Sequence, residues 1–256
     1  LDTPLAEPFT LGISAAAAFG AAASIVLGWT IIPNAQFNVA VCAAVASLIA
    51  VAIVAGVSRR REDGRESMIL LGIALVFGFH ALLALLQYRA TPEALQQIVF
   101  WTMGSLQRAT WTSNAIIAAV LAIAIPITMK HSGQLTALRL GDERAAAMGV
   151  NVPRLRLQIL ILASLLAAVT VAFAGVIGFI GLVGPHVARI LVGEEQRFFA
   201  PASAATGAFL LATAHALSIT IIPGVAIPIG IITALVGVPV FVSLILTRHR
   251  VFGRAS

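Results

Sequence analysis

Eight long apolar stretches, separated by short polar segments, constrain this chain more than any other feature of its sequence. They cover residues 9–31, 37–57, 68–88, 113–129, 157–174, 176–192, 201–221 and 227–246. About 20 apolar residues are needed for a helix to cross the hydrocarbon core of a bilayer. Hydrophobic residues make up 60% of the chain and charged residues only 10%, against about 25% charged residues in a soluble domain. The sequence therefore predicts an all-α, polytopic membrane protein with about eight visible transmembrane helices.

Basic residues are distributed unequally over the segments between these stretches. Most of them lie in residues 58–67, 130–156 and 247–256, whereas the segments of the opposite side contain mainly Arg89 and Arg108. Basic residues favour the cytoplasmic side of a membrane. We therefore expect the first group of segments and both chain ends in the cytoplasm. The net charge of +6 is then a topology signal, and no nucleic-acid partner is expected.

Small residues recur every four positions in the first apolar stretch. Residues at this spacing share one face of a helix, and small side chains there let a second helix approach closely. We expect this face to be a helix-packing surface. The residues concerned are Gly12, Ala16, Gly20, Ser24 and Gly28.

The segment GVIGFIGLVGPHVAR, residues 175–189, contains four glycines at a spacing of three residues and then a Pro-His pair. Glycine costs about 1 kcal/mol and proline about 3 kcal/mol in a helix interior. Such a run indicates backbone irregularity at membrane depth. Because the flanking apolar stretches are nearly continuous, we expect a tight turn near Gly175. A structural broken helix is predicted at Gly178, Gly181, Gly184, Pro185 and His186.

The segment between the third and fourth stretches, residues 89–112, is long enough to contain structure of its own. Residues 96–106 are predicted to form a short helix along the outer surface, with Trp101 and Trp111 in an aromatic belt at the membrane interface. The pattern supports an interfacial anchor and a docking surface equally. In the second case, an exposed Arg108 is a candidate contact for an acidic extracytoplasmic partner.

The segment LTALRLGDERAAAMGVNVPRLR, residues 135–156, is predicted to contain a short cytoplasmic helix. Asp142 is the expected N-cap, Gly149 ends the helix, and Pro153 prevents its continuation. A helix of about seven residues has no stability of its own, so it must pack against something. Insertion into a groove of another subunit and a plain surface turn both remain open. The candidate contact residues are Gly141, Asp142, Glu143, Ala145, Ala146, Met148 and Gly149.

Polar residues inside the apolar stretches are candidates for contact with a transported molecule. His80 lies near the middle of the third stretch, and Gln87 follows seven residues later on the same helical face. Polar side chains within a membrane span usually mark a functional site. The alternative is a histidine that only bonds a neighbouring carbonyl group. We predict that His80 and Gln87 line a translocation pathway.

Five segments resemble, in sequence and in order, the iron-chelate uptake permeases. These are the FecCD/BtuC-like subunits of bacterial ABC importers for iron–siderophore complexes, haem and vitamin B12. The resemblance implies a ten-helix, type II permease fold, a single domain over residues 1–256 that lacks about two N-terminal helices, and a place in the bacterial cytoplasmic membrane. The segments are PLAEPFTLGISAA at 4–16, FWTMGSL at 100–106, LGDERAAAMGV at 140–150, GVIGFIGLVGPHVAR at 175–189 and PIGIITALVGVPVF at 228–241.

The resemblance also implies an assembly. Its other members would be a second permease copy, identical or paralogous, two cytoplasmic ATPase subunits and an extracytoplasmic substrate-binding protein that delivers a metal chelate. Residues 140–150 would be the coupling helix that seats in the ATPase, and the ATPase would bind ATP and Mg²⁺. We expect no enzymatic activity, metal site or cofactor in this chain. Thr3, Pro4 and Leu5 would form the cytoplasmic gate, with Thr3 where the family usually has asparagine.

Two other functional classes are less well supported. An ion-coupled secondary transporter, the main alternative, usually needs carboxylates within its spans, yet every Asp and Glu of this chain lies in a predicted loop or near a terminus. An intramembrane enzyme would need a motif such as HExxH, which the sequence lacks. The sequence also lacks a GxxxxGK motif, so a separate subunit would have to hydrolyse ATP.

Overall fold

A computed structural model of the chain describes residues 12–60 and 64–252. Its regular elements in these ranges are all helices, which confirms the predicted all-α membrane fold. The predicted gate residues Thr3, Pro4 and Leu5 lie outside the described residues. The helices are α1 Ile13–Leu27, α2 Ala35–Arg60, α3 Gly64–Arg89, α4 Pro92–Thr102, α5 Trp111–Lys130, α6 Ser132–Leu138, α7 Asp142–Ala147, α8 Val152–Ala174, α9 Ile180–Val192, α10 Gln196–Thr220 and α11 Ile229–Phe252.

Each of the eight predicted membrane stretches coincides with one of α1, α2, α3, α5, α8, α9, α10 and α11. Within the described ranges, α2, α3, α5, α8 and α10 are long and apolar enough to cross a membrane. The apolar segments Ile13–Leu27, Ile180–Val192 and Ile229–Val240 are shorter. The predicted stretch 176–192 begins four residues too early, because residues 176–179 are not helical.

Contacts divide the chain into two compact units, with the boundary between Val176 and Ile177. In the first unit, α1 packs against α2, α3, α4 and α8. The core of this unit consists largely of alanines from α1 and α2, together with Ile98 and Trp101 of α4. In the second unit, α9 packs against α10 and α11. The single domain predicted over residues 1–256 stays a prediction.

The small residues of α1 allow α2 to approach closely, as the four-residue spacing predicts. A Cβ atom added at Gly20 would overlap the carbonyl oxygen of Cys42 and would lie 2.7 Å from the Cβ atom of Ala46. The hydroxyl group of Ser47 on α2 also donates to the carbonyl oxygen of Ile13, at 3.2 Å. The two helices are thus in contact through backbone atoms, which only a glycine at position 20 permits.

Asn38 holds the connection between α1 and α2, although no sequence signal singled it out. Its side chain is only 3% exposed. The Oδ1 atom accepts hydrogen bonds from the backbone N–H groups of Ile31, at 2.7 Å, and Ile32, at 3.2 Å. The Nδ2 atom donates to Ser24 Oγ, at 2.8 Å, and to the carbonyl oxygen of Trp29. A buried amide requires such partners.

The orientation of these helices in the membrane is testable by cysteine labelling. A cysteine at Gln97, which is exposed on α4, should react with a membrane-impermeant thiol reagent added to intact cells. A cysteine at Gly64 should react only after the cells are permeabilised, because the arginine distribution places this end of α3 in the cytoplasm. The native Cys42 is buried and is replaced by alanine in both variants. If only the Gly64 variant were labelled in intact cells, the predicted orientation would be wrong, and the opposite orientation would apply.

Candidate functional site

A cavity of about 250 Å³ lies between α1, α3 and α4. His80 and Gln87, the two residues predicted to share a function, both line it. They do so because positions 76, 80, 83 and 87 lie on one face of α3. No sequence signal singled out Ser14 and Thr102, which also line the cavity. The hydroxyl group of Thr102 donates to the carbonyl oxygen of Val99, at 2.9 Å. The full lining is Ser14, Ala15, Ala18, Val76, His80, Leu83, Gln87, Thr102 and Val176.

The two polar residues of α3 differ in burial. The side chain of His80 is exposed in the isolated chain, whereas that of Gln87 is half-buried. Leaving a polar group in an apolar environment without a hydrogen-bond partner costs about 2–7 kcal/mol. An exposed imidazole in the middle of a membrane span therefore requires water, protein or a bound molecule beside it. This face of α3 is accordingly unsuited to contact with lipid.

The short helix α7 begins one residue earlier than the capping pattern predicts. Gly141 is the N-cap residue, with φ 102°, and Asp142 is already helical. The predicted N-cap at Asp142 is therefore wrong. The physical reason is a competing partner, because Oδ1 of Asp142 accepts a hydrogen bond from Nη2 of Arg156 on α8, at 2.7 Å. A carboxylate held by α8 does not cap its own helix.

The other end of α7 is closed by Gly149, in agreement with the sequence. Gly149 has φ 83°. Its N–H group donates to the carbonyl oxygen of Ala146, at 2.9 Å, and the N–H group of Val150 donates to the carbonyl oxygen of Ala145, at 3.1 Å. This pair of bonds is a Schellman motif, which favours glycine at the left-handed position.

The candidate contact residues of α7 have different environments. Ala145 is fully buried against the rest of the chain. Gly141 and Asp142 are half-buried, whereas Glu143, Ala146 and Gly149 are exposed. Met148, the largest apolar side chain among these candidate residues, is 55% exposed. Of the candidate contact residues, Ala146 and Met148 present exposed apolar groups, as do the neighbouring Leu140 and Ala147. Ala145 attaches the helix to its own chain.

The outer helix α4 begins four residues before its predicted start. Thr91 caps it by accepting a hydrogen bond from the N–H group of Ala94, at 3.3 Å, and Pro92 occupies the first turn. The Thr-Pro-Glu sequence was a usable signal for this start. Trp101 is only 6% exposed and belongs to the core, so its predicted place in an aromatic belt is wrong. Trp111 is 91% exposed, as an interfacial side chain would be.

Arg108 is half-buried rather than exposed, contrary to the prediction. Its Nη2 atom donates to the carbonyl oxygen of Trp101, at 3.4 Å. Within the described part of the chain, its buried Nε atom has no hydrogen-bond partner. Burial lowers the pKa of the guanidinium group, because desolvation penalises the charged form. The residue packs at the C-terminal end of α4. Its contact with an external partner stays a prediction.

The irregular backbone of the glycine-rich segment lies before α9 and not within it. Residues 175–179 form an irregular connection instead of a tight turn. Gly175 has φ 76°. Phe179 has φ 68° and is, within the described ranges, the non-glycine residue with a positive φ. Of the predicted broken-helix residues, Gly178 lies in this connection. The others, Gly181, Gly184, Pro185 and His186, lie inside the continuous helix α9.

Packing in the second unit explains one of these positions, Gly184. A Cβ atom added at Gly184 would lie 3.1 Å from the Cα atom of Gly207 on α10. The hydroxyl group of Thr206 lies 2.8 Å from the carbonyl oxygen of Gly184. Pro185, beside this contact, is accommodated in the second turn of α9. Small residues here serve the α9–α10 contact, as is common between membrane helices.

Comparison with known proteins identifies the family of the chain. Residues 2–247 match the FecCD transport family. The chain belongs to that family. A protein of Methanocaldococcus jannaschii that is named an ABC transporter permease is 40% identical to this FecCD chain, over 98% of the chain and 74% of the relative. The hemin transport system permease protein HmuU of Yersinia pestis is 36% identical, over 96% of the chain and 74% of the relative.

A solved structure supports the same assignment for this FecCD protein. It is a metal-chelate type ABC transporter in an inward-facing conformation, with a TM-score of 0.85 and 31% sequence identity. The alignment covers 95% of the FecCD chain and 78% of the solved chain. The FecCD protein is therefore an ABC importer permease of the metal-chelate family, and its relatives are permease subunits.

Proposed function

We propose that this FecCD permease imports a metal chelate, of the iron–siderophore, haem or cobalamin type, along a path that includes the His80 cavity. The observation that carries the proposal is the position of His80 and Gln87 on one face of α3, beside Ser14 and Thr102. A mainly apolar lining with a few polar groups is typical of sites for organic ligands. With a volume of about 250 Å³, the cavity would be one wall of a wider path. The polar groups also explain how this face of α3 tolerates an imidazole at mid-span.

ATP hydrolysis in two partner subunits drives this transport. The permease has no phosphate-binding motif of its own, so the partners bind ATP and Mg²⁺. The helix α7 presents Ala146 and Met148 as apolar side chains that its own chain leaves exposed. A groove in the ATPase would bury them. Because the ATPase changes shape when it binds ATP, it stabilises one conformation of the permease over the other, which gives alternating access.

Two exposed surfaces, the His80 side of α3 and the extracytoplasmic face of α4, are assigned to the remaining partners. A second permease copy, identical or paralogous, faces the exposed His80 side of α3 and completes the path. The substrate-binding protein docks on the extracytoplasmic face of α4, where Glu93, Gln96 and Gln97 are exposed and Arg108 packs at the base. The assembly lies in the bacterial cytoplasmic membrane, with both ends of the permease chain in the cytoplasm.

Reconstitution tests this function directly. The permease is placed in lipid vesicles with its ATPase and binding protein, and uptake of a ferric siderophore, haem and cobalamin is measured with and without ATP. We expect ATP-dependent uptake of one of these chelates. Uptake that depends on a proton or sodium gradient, and not on ATP, would instead establish an ion-coupled transporter.

His80→Leu is expected to lower uptake of the chelate by roughly tenfold, equivalent to about 1.4 kcal/mol, with little change in thermal stability. The reason is that leucine removes a polar contact from the path and is favourable in a membrane helix. Uptake and thermal unfolding are measured on the same preparation.

The control is His80→Gln, which keeps a polar group in the cavity and should retain a larger share of the uptake than His80→Leu. A histidine that only bonds a neighbouring carbonyl group behaves differently. Its loss would lower the stability by about 1–3 kcal/mol without changing uptake, and that result would make His80 a packing residue.

A further inference from the structure

We propose that α8 transmits movement of α7 to the outer end of the His80 cavity, with Arg156 and Gly175 as positioning residues at its two ends. This proposal rests on the proposed function, because it takes α7 to be the helix that binds the ATPase. It adds a structural connection between α7, where the ATPase would bind, and the cavity that lines the proposed path of the chelate.

At the inner end, Arg156 joins α8 to α7. Its Nη2 atom donates to Oδ1 of Asp142 at 2.7 Å, and the two residues are 14 positions apart in the sequence. Their side chains are 30% and 45% exposed. A pair this exposed contributes little to stability. Its effect is therefore mainly on position, since it fixes the first turn of α7 against the second turn of α8.

Two further features attach α7 to its own chain and to the start of α8. Ala145 is fully buried, so the middle of α7 is packed against its own chain. The connection to α8 is only four residues long, from Met148 to Asn151. Asn151 caps α8, because its Oδ1 atom accepts a hydrogen bond from the N–H group of Arg154, at 3.1 Å. A force on α7 therefore reaches the start of α8 directly.

The body of α8 is suited to carry that force across the membrane. It contains 23 residues, Val152–Ala174, and is about 34 Å long at 1.5 Å per residue. Pro153 lies in the first turn, and the remainder of the helix has neither proline nor glycine. Kinks arise mainly at such residues. The helix is therefore expected to move as one rigid element.

At the outer end, α8 contacts the backbone that follows α4. The N–H group of Ser105 donates to the carbonyl oxygen of Ala174, at 2.8 Å. A Cβ atom added at Gly175 would overlap the carbonyl oxygen of Trp101 and would lie 2.9 Å from the Cα atom of Gly104. The end of α8 is thus bonded to, and in backbone contact with, the end of α4.

Both sides of this outer contact continue into the cavity wall. Thr102 follows Trp101, Val176 follows Gly175, and both Thr102 and Val176 line the cavity. A displacement of the outer end of α8 therefore moves two lining residues at once. Through this connection, a movement of α7 on the cytoplasmic side changes the cavity near the outer face.

Charge exchange at the inner end tests the proposal in the complete complex. Arg156→Asp should leave the basal ATPase rate unchanged and lower the chelate taken up per ATP hydrolysed by roughly tenfold, equivalent to about 1.4 kcal/mol. Adding Asp142→Arg re-forms the pair in reverse and should restore most of the coupling, and Arg156→Lys should retain it. The matched control is Arg154→Asp, at an exposed arginine two residues away, which should have little effect.

A second measurement reports on the cavity itself. A Thr102→Cys variant with Cys42 replaced should show a thiol-labelling rate that changes when ATP binds to the complex. Arg156→Asp should abolish this ATP-dependent change, and the added Asp142→Arg should restore it. Arg156→Gln provides the same test if the aspartate variant does not assemble.

The outcomes separate the two proposals. Unchanged coupling and unchanged ATP-dependent labelling in Arg156→Asp would show that α8 does not act through this pair, while import by ATP would stand. Failure of the double variant to recover the ATP-dependent change in labelling, with ATPase association intact, would likewise contradict the positioning role. Absence of ATP-dependent uptake in the unmodified complex would overturn the proposed function, and the role of α8 with it.

Discussion

Met148→Asp is expected to abolish chelate uptake while the permease itself remains folded in the membrane. In the isolated chain this side chain is 55% exposed, so an aspartate there is solvated and does not disturb α7. Seating in an ATPase groove would bury an unpaired carboxylate, at a cost of a few kcal/mol. A cost of about 3 kcal/mol weakens association by more than a hundredfold. Uptake, ATPase copurification and ATP hydrolysis are measured together, and Ala146→Asp should act in the same direction.

Met148→Leu is the matched control for this variant. It conserves the volume and apolar character of the side chain, and such exchanges are usually tolerated. We expect normal uptake and normal association with the ATPase. If Met148→Asp also showed normal uptake and association, α7 would not be the surface that the ATPase contacts.

Gly20→Ala is expected to destabilise the permease strongly. The added Cβ atom would overlap the carbonyl oxygen of Cys42 and would lie 2.7 Å from the Cβ atom of Ala46, so α1 and α2 would have to separate. Overpacking of this kind costs about 1–3 kcal/mol, and membrane helices depend on close packing for their association. Thermal unfolding in detergent should show a lower midpoint, and the yield of the assembled complex should fall.

Gly56→Ala provides the matched control within α2. In the described part of the chain, no atom lies within 4 Å of the added Cβ atom. The substitution should therefore be neutral or should stabilise the helix by about 0.5–1 kcal/mol, the difference between alanine and glycine in a helix interior. Equal losses of stability in both variants would contradict the close contact between α1 and α2.

The helices could be predicted from the sequence because membrane insertion depends on local properties. A run of about 20 apolar residues is visible without any tertiary information, and each of the eight runs coincides with a helix. The C-terminal end of α7 could also be predicted from local sequence, because Gly149 supplies the positive φ of a Schellman motif. The shared face of His80 and Gln87 followed from helical periodicity alone.

The errors occurred where a distant residue changed a local preference. Asp142 does not cap α7, because Arg156 binds its carboxylate from the next helix. Trp101 is in the core and not at the membrane interface, because α4 packs against α1. Arg108 is half-buried for a related reason, since it lies beside the carbonyl oxygen of Trp101. None of these contacts follows from helical periodicity or capping patterns, because each depends on how the segments fold against one another.

The sequence by itself determined that this chain is a helical membrane protein of the iron-chelate permease type, because hydropathy and family motifs are properties of consecutive residues. Only the tertiary structure decided which residues act together. Ser14 and Thr102 share a cavity with His80, Asn38 closes the turn of α1 and α2, and α8 joins α7 to the outer end of α4. Such groupings depend on contacts between distant positions, and those contacts exist only once the helices have packed.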